Sequence, residues 1–168
     1  MAPDLHEVAS DVSGASWAAF AAAAPEIAAA GERLLQANGE GTAFLSTVRK
    51  DGGPRVHPVM PVLARGALHV FVVTMGYKYR DLLRDNRYAL HAMPVPEGGE
   101  EFYLTGRGTP LRDAGDREMV RAASGGRLGG HDFEALFALD IEAVLHTKWE
   151  NWGTAETWPA YNKWKPGA

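Results

Sequence analysis

The stretch between residues 51 and 83, DGGPRVHPVMPVLARGALHVFVVTMGYKYRDLL, narrows the choice of fold more than any other part of the chain. Asp51-Gly52-Gly53-Pro54 has the composition of a tight turn, because Gly tolerates positive φ, Asp bonds to nearby backbone and Pro presets its own φ. It opens an extended run over residues 55–63, and a second turn at Arg65-Gly66 returns the chain as an apolar strand over residues 68–73. At Gly76-Tyr77-Lys78-Tyr79-Arg80 the apolar period changes from that of a strand to that of a helix. The unpaired N–H groups and the positive dipole end of a helix start attract anions. Lys78 and Arg80 add charge to that turn, and Arg55 on the neighbouring hairpin offers a planar fork for phosphate oxygens. Two strands feeding a cationic helix start therefore predict an anion site.

The charge distribution points the same way. The 168 residues carry a formal net charge of −4, which argues against nonspecific nucleic-acid binding by the whole surface. Between Arg49 and Arg87, eight cations (Arg49, Lys50, Arg55, Arg65, Lys78, Arg80, Arg84, Arg87) stand against three anions (Asp51, Asp81, Asp85), a local balance of +5 that leaves −9 elsewhere. The competing reading pairs Asp81 and Asp85 with these cations along a solvated helix face, at about 0.3–0.5 kcal/mol per pair. It applies most directly to Arg84 and Arg87.

Length and patterning predict one domain: an N-terminal arm and helices over residues 1–40, a barrel over 41–149 and an aromatic tail over 150–168. The first 14 residues show no apolar period and read as a mobile arm. Ser16 is placed to cap a helix over residues 17–24, and Pro25 either ends it or starts the next. In that second helix Ile27, Ala30, Gly31, Leu34 and Leu35 form one apolar stripe, with a stop at Asn38-Gly39. Strands follow over residues 42–49, 88–93 and 101–109, with Gly106 and Gly108 as bulge or bend positions. A helix is predicted over 113–123, a glycine-rich connection over 124–130, and a helical turn near Phe133 before an extended run over 136–145. The first strand is partly apolar on both faces, as a barrel wall covered by a helix or a partner subunit would be. Four of the five tryptophans, Trp149, Trp152, Trp158 and Trp164, fall in the last twenty residues beside Tyr161, and such rings are expected to be buried.

Other chemistries find little support. The absence of cysteine excludes disulfides and thiolate sites and is consistent with a reducing, cytoplasmic setting. Asp4, Glu7 and Asp11 make the start acidic, unlike a secretory leader, and no membrane span is patterned. His57, His69, His91, His131 and His146 lack metal-ligand spacing, so no metal site is expected. No serine lies in a G-x-S-x-G elbow, and no G-x-G-x-x-G joins a strand to a helix.

The order and spacing of Asp51, Gly52 and Pro54 at the turn, Arg55 to Val59 on the next strand, Thr74 at the end of the third, and then Gly76, Lys78, Leu82 and Asn86 resemble the pyridoxamine 5'-phosphate oxidase-like family of flavin-binding split barrels. The match covers residues 41–111 and, more loosely, the last long strand over 137–149. The resemblance implies a mainly β fold with flanking helices, a homodimeric split β-barrel that binds flavin mononucleotide (FMN) at the subunit interface and transfers hydride through it. In that reading Arg55 and Lys78 hold the phosphate, with further contacts from Val56, His57, Pro58, Val59, Val73 and Thr74. Helix geometry adds Arg80. Tyr77 departs from the pattern, standing where many relatives have a small residue or arginine.

Two positions stay open. His57 shares a strand face with Arg55, so it donates to a phosphate or the flavin edge, or else it is an ordinary hydrogen-bonded strand residue. Trp149 and Trp152 either belong to a dimer-interface core or stack near the flavin ring across the interface. The resemblance also leaves an 8-hydroxy-5-deazaflavin as the alternative cofactor, and a non-catalytic flavin or small-ligand carrier as the alternative function. Enzymes that oxidise pyridoxamine phosphates resemble one another in a C-terminal Arg-x-His pair. Here no arginine follows Arg127 and no histidine follows His146, so a different, less polar small-molecule substrate is expected.

Overall fold

The turn at Asp51 closes through its own side chain. Asp51 Oδ1 accepts from the Gly53 N–H at 3.0 Å, while Gly52 takes φ +83°. Arg65 and Gly66 both have positive φ, at 48° and 71°, the signature of a tight hairpin turn whose twist suits the flanking strands. The computed structural model describes residues 14–37, 41–95 and 97–167. The N-terminal arm and the Asn38-Gly39 stop fall largely or wholly outside them.

The elements run α1 (Trp17–Ala23), α2 (Pro25–Gln36), β1 (Ala43–Val48), β2 (Pro54–Val59), β3 (Pro61–Ala64), β4 (Ala67–Val73), α3 (Tyr77–Arg84), β5 (Arg87–Ala92), β6 (Glu100–Leu111), α4 (Ala114–Ala123), β7 (Glu134–Glu150) and β8 (Trp158–Trp164). Every named strand pair is antiparallel, in the order β2-β1-β5-β6-β7-β4-β3, with β8 on β7. The two ends of this path, β2 and β3, are consecutive in the chain with only Met60 between them. The expected single strand over 55–63 is thus two strands, and the chain crosses at Met60 from one sheet edge to the other. Pro58 and Pro61 flank the crossing; neither has an N–H for a ladder, so both are tolerated on edge strands.

Ser16 caps α1 as expected, accepting from Ala19 N at 3.2 Å, and Pro25 takes the first position of α2. The buried stripe of α2 is Ala28, Gly31, Leu34 and Leu35, set against a core that includes Phe20, Leu45, Leu68, Leu90, Phe102, Phe137 and Ile141. A smaller core, Val62, Ala64, Phe71, Val120 and Leu136, lies under α4. In β6 the register shifts between Thr105 and Gly106, where an added Cβ would stand 1.7 Å from Asp140 O. Only glycine lets the two backbones approach there.

The C-terminal third differs from expectation. β7 is one strand of 17 residues that follows a single turn at residues 131–134, closed by the Glu134 N–H to His131 O at 3.0 Å, and it serves three neighbours in sequence: β4, β6 and β8. The tail beyond it is a hairpin strand. Its loop is closed by the Thr154 and Thr157 hydroxyls, which both donate to Asn151 O at 2.9 Å. Trp164 packs on the core and meets Phe20 at 4.9 Å, but Trp152, Trp158 and Tyr161 are more than half exposed. The expected burial of these rings is not met within one chain, because β8 has only β7 for a strand neighbour. Among the described residues no helix is long and apolar enough to cross a membrane.

Gly31 provides a test of the core. An added Cβ would lie 2.4–2.9 Å from the ring of fully buried Phe102. Alanine gains about 1 kcal/mol of helix propensity over glycine, against about 1–3 kcal/mol for overpacking. Gly31→Ala is therefore expected to lower the urea midpoint, and Phe102→Leu to restore part of it.

Candidate functional site

The register of β1 on β2 sets Thr47 opposite Arg55 and Leu45 opposite His57, so Arg55, His57 and Val59 share the face of β1 that carries Leu45 and Thr47. Val56 and Pro58 point to the other side and are exposed. Helix α3 lies over that shared face and brings Asp81 to it. Asp81, only 3% exposed, accepts from Thr47 Oγ1 at 3.0 Å, Arg55 Nε at 2.7 Å and Arg84 Nη2 at 3.1 Å. Burial pushes this carboxyl up, but the donors from Arg55, Arg84 and Thr47 outweigh it and hold the group below its ordinary range. Asp81 and Arg84 do pair, as the competing reading had it, yet Asp81 is buried rather than on a solvated face, and it engages Arg55 as well. Asp85 takes Arg87 at 2.6 Å on the surface.

Among the described residues Arg55 donates through Nε alone; its Cζ lies 4.7 Å from the centroid of the Tyr77 ring, and Arg80 approaches the same ring at 5.9 Å. Tyr77, the departure from the family pattern, thus carries two guanidinium groups. Lys78 Nζ reaches Pro58 O at 3.5 Å, the outer limit of a hydrogen bond, and burial lowers its pKa. Among the described residues neither Lys78 nor Arg80 forms an ion pair with a carboxylate. His57 Nε2 is buried without a hydrogen-bond partner. Its pKa is lowered first by burial, then by the charges of Lys78 and Arg55, so the ring is neutral at neutral pH.

Other expected site residues stand around this cluster. Val73 ends β4 and is part exposed; the Thr74 N–H already donates to Phe133 O at 2.7 Å, leaving its side chain as the free donor. Gly76 caps α3 without a side-chain bond. Trp149 and Trp152 meet each other at 6.0 Å at the β7–β8 turn, and no hydrogen bond, ion pair or ring contact joins them to Arg55, His57 or Lys78 within the chain. A depression of about 520 Å³ runs along Arg49, Lys50, Asp51 and Arg55. It does not take in His57 or Lys78, and the Tyr77 ring beside Arg55 is exposed. Among the described residues no three His, Asp or Glu side chains gather as a metal site would require.

No protein-family model matches the chain, and no curated protein is similar to it in sequence at a significant level. Solved structures do match. The haem storage protein HutZ of Vibrio cholerae superposes with a TM-score of 0.57 at 20% identity, over 71% of this chain and 89% of that one. A protein of Clostridium acetobutylicum related to general stress protein 26, of the pyridoxinephosphate oxidase family, gives 0.58 at 14% identity, over 80% and 95%. PhzG of Burkholderia lata, in complex with tetrahydrophenazine-1-carboxylic acid, gives 0.56 at 13% identity, over 84% and 92%. The fold is the split barrel of pyridoxamine 5'-phosphate oxidase-like proteins.

Within this split barrel the sequence reading missed the part played by Asp81 and Tyr77. A signal was present: the two are four residues apart, hence on one face of α3, and that face is the one turned to Arg55. The histidines give a test of the geometry. Burial is the first cause lowering the pKa of His57, His69 and His146 below the usual 6.5. Below pH 6.5 the unfolded chain therefore binds protons that the folded chain does not, so stability is full above that pH and is lost as pH falls through it. Thermal unfolding from pH 8 to 5.5 is expected to show a midpoint that drops below about pH 6.5; a flat profile would contradict the burial of these rings.

Proposed function

We propose that the protein is an FMN-binding oxidoreductase, acting as a homodimer on a small organic substrate less polar than a pyridoxamine phosphate. One observation carries this reading: the donors on the shared face of β2 and α3 are uncommitted. Among the described residues Lys78 has only the long contact to Pro58 O, neither Lys78 nor Arg80 has a carboxylate partner, Arg55 donates only through Nε, and His57 Nε2 is buried and unpaired. Buried polar atoms are ordinarily satisfied, and a phosphate monoester beside a helix start would satisfy these. The residues present therefore fit the phosphate end of a flavin nucleotide. Arg55 and Lys78 would grip the phosphate, Arg80 and His57 would add donors, and the Thr74 side chain with Val56, Pro58, Val59 and Val73 would flank the rest. A bound flavin supplies hydride chemistry, and the protein supplies placement and electrostatics.

The dimer is proposed from what one chain leaves uncovered. Tyr77, beside the donor cluster, is 64% exposed, and Met75, just before α3, is 71% exposed. A second copy over this face would cover them and enclose the site. Trp149 or Trp152 would then reach the flavin only across the interface. The likeness in fold to a haem storage protein favours a second reading, a carrier that binds without turnover.

The test is the absorption spectrum and mass of the small molecule released from the purified protein. FMN supports the leading reading, whereas a deazaflavin or haem would replace the cofactor. Lys78→Ala is expected to weaken FMN binding about tenfold to a hundredfold, since a charge-assisted hydrogen bond contributes about 1.5–3 kcal/mol. Sedimentation at micromolar concentration should give a dimer. A folded monomer that still binds FMN tightly would sink the interface reading.

A further inference from the structure

Arg55 is held from two directions. Its Nε donates to Asp81 Oδ2 at 2.7 Å, and its Cζ lies over the Tyr77 ring at 4.7 Å. The ring meets the guanidinium at Cζ and the carboxylate meets it at Nε, two contacts on different parts of the group. Asp81 is itself immobilised. It is 3% exposed and takes two further donors, Thr47 Oγ1 from β1 and Arg84 Nη2 from its own helix. Arg84 is anchored in turn by a bond to Val48 O.

We infer that Asp81 and Tyr77 are positioning residues for Arg55, turning its two terminal nitrogens toward the anion received by Lys78 and the start of α3. This rests on the phosphate-anchor reading above. An unheld arginine gives up rotamer freedom when it grips a ligand, whereas one already clamped gives up little. The clamp uses the Nε edge, so it leaves the fork that matches phosphate oxygens.

Asp81 has two simpler roles to exclude, and each predicts a different result. If its charge merely offset surplus cations, removing it would leave the site more positive and tighten phosphate binding. If it served the fold alone, removing it would weaken every ligand alike. As a positioning residue it affects only the part of the ligand that Arg55 touches.

The experiment compares FMN with riboflavin, which has the same ring and ribityl chain and no phosphate, by fluorescence titration of the full chain. In wild type FMN binds more tightly than riboflavin. In Asp81→Asn the ratio of the two affinities falls about tenfold, with riboflavin binding unchanged. In an Arg55→Ala background the same change causes no further fall. A ratio equal to or above wild type overturns the inference, and so does an equal loss for both ligands. If Asp81→Asn does not fold, Tyr77→Leu at its exposed position decides: a several-fold fall in the ratio supports positioning, and an unchanged ratio overturns it. A wild type that binds FMN no more tightly than riboflavin removes the phosphate anchor and this inference together. A wild-type preference for FMN that survives intact in the variants removes this inference alone.

Discussion

A carboxylate taken out of water must recover its lost hydration from donors around it, and in this chain that requirement falls on Asp81. Its oxygens draw Thr47 from β1, Arg55 from β2 and Arg84 from α3 to a single point. Those elements are separated by up to 37 residues of sequence, and the first β-hairpin is locked to the helix that follows the second. Breaking one member of such a buried set costs more than forming a surface pair contributes, because the remaining charges stay desolvated. The direction of the Asp81 pKa shift records the balance: burial opposes the charged form, and three donors overcome it.

The same geometry explains why the surrounding cations are not all neutralised. One carboxylate serves two arginines, and Asp85 is occupied by Arg87 at the surface. Among the described residues, Lys78 and Arg80 are left on the first turn of α3 with no carboxylate, beside an imidazole nitrogen without a partner. The imidazole nitrogen is the costly one, since an unpartnered buried polar atom loses its hydration, whereas Arg80 is exposed to solvent. The place of these groups beside the exposed Tyr77 ring fits a site completed by other molecules.

The sheet gives that face its place. The step at Met60, between two strands that end in or begin with chain constraints from Pro58 and Pro61, carries the chain from one edge to the other and leaves the split of the barrel beside the cluster. On the far side β7 acts as a spine, and its length lets β8 add to the wall where β4 stops. The exposed rings of Trp158 and Tyr161 follow from that addition, since the core covers this edge strand at Trp164 and leaves those two rings open.

By itself the sequence determined the features that depend on a few adjacent residues. The Asp51 turn, the Arg65-Gly66 turn, the Ser16 cap and the Pro25 start are each decided by local φ preferences or short-range hydrogen bonds, and each stands where the residues indicated. Residue type and local position marked Arg55, His57, Lys78 and Arg80 one by one, but the crossing at Met60, which the sequence did not display, decided that β2 and the start of α3 lie side by side. Tertiary structure alone decided that the run after Arg55 is two strands on opposite edges, that β7 extends to Glu150, and that the tail returns as β8. It also decided that Asp81 is buried beneath Arg55 rather than solvated, and that the tail tryptophans stay partly uncovered. These outcomes turn on partners tens of residues away, and burial or pairing across such a distance leaves no period or spacing for a sequence to display.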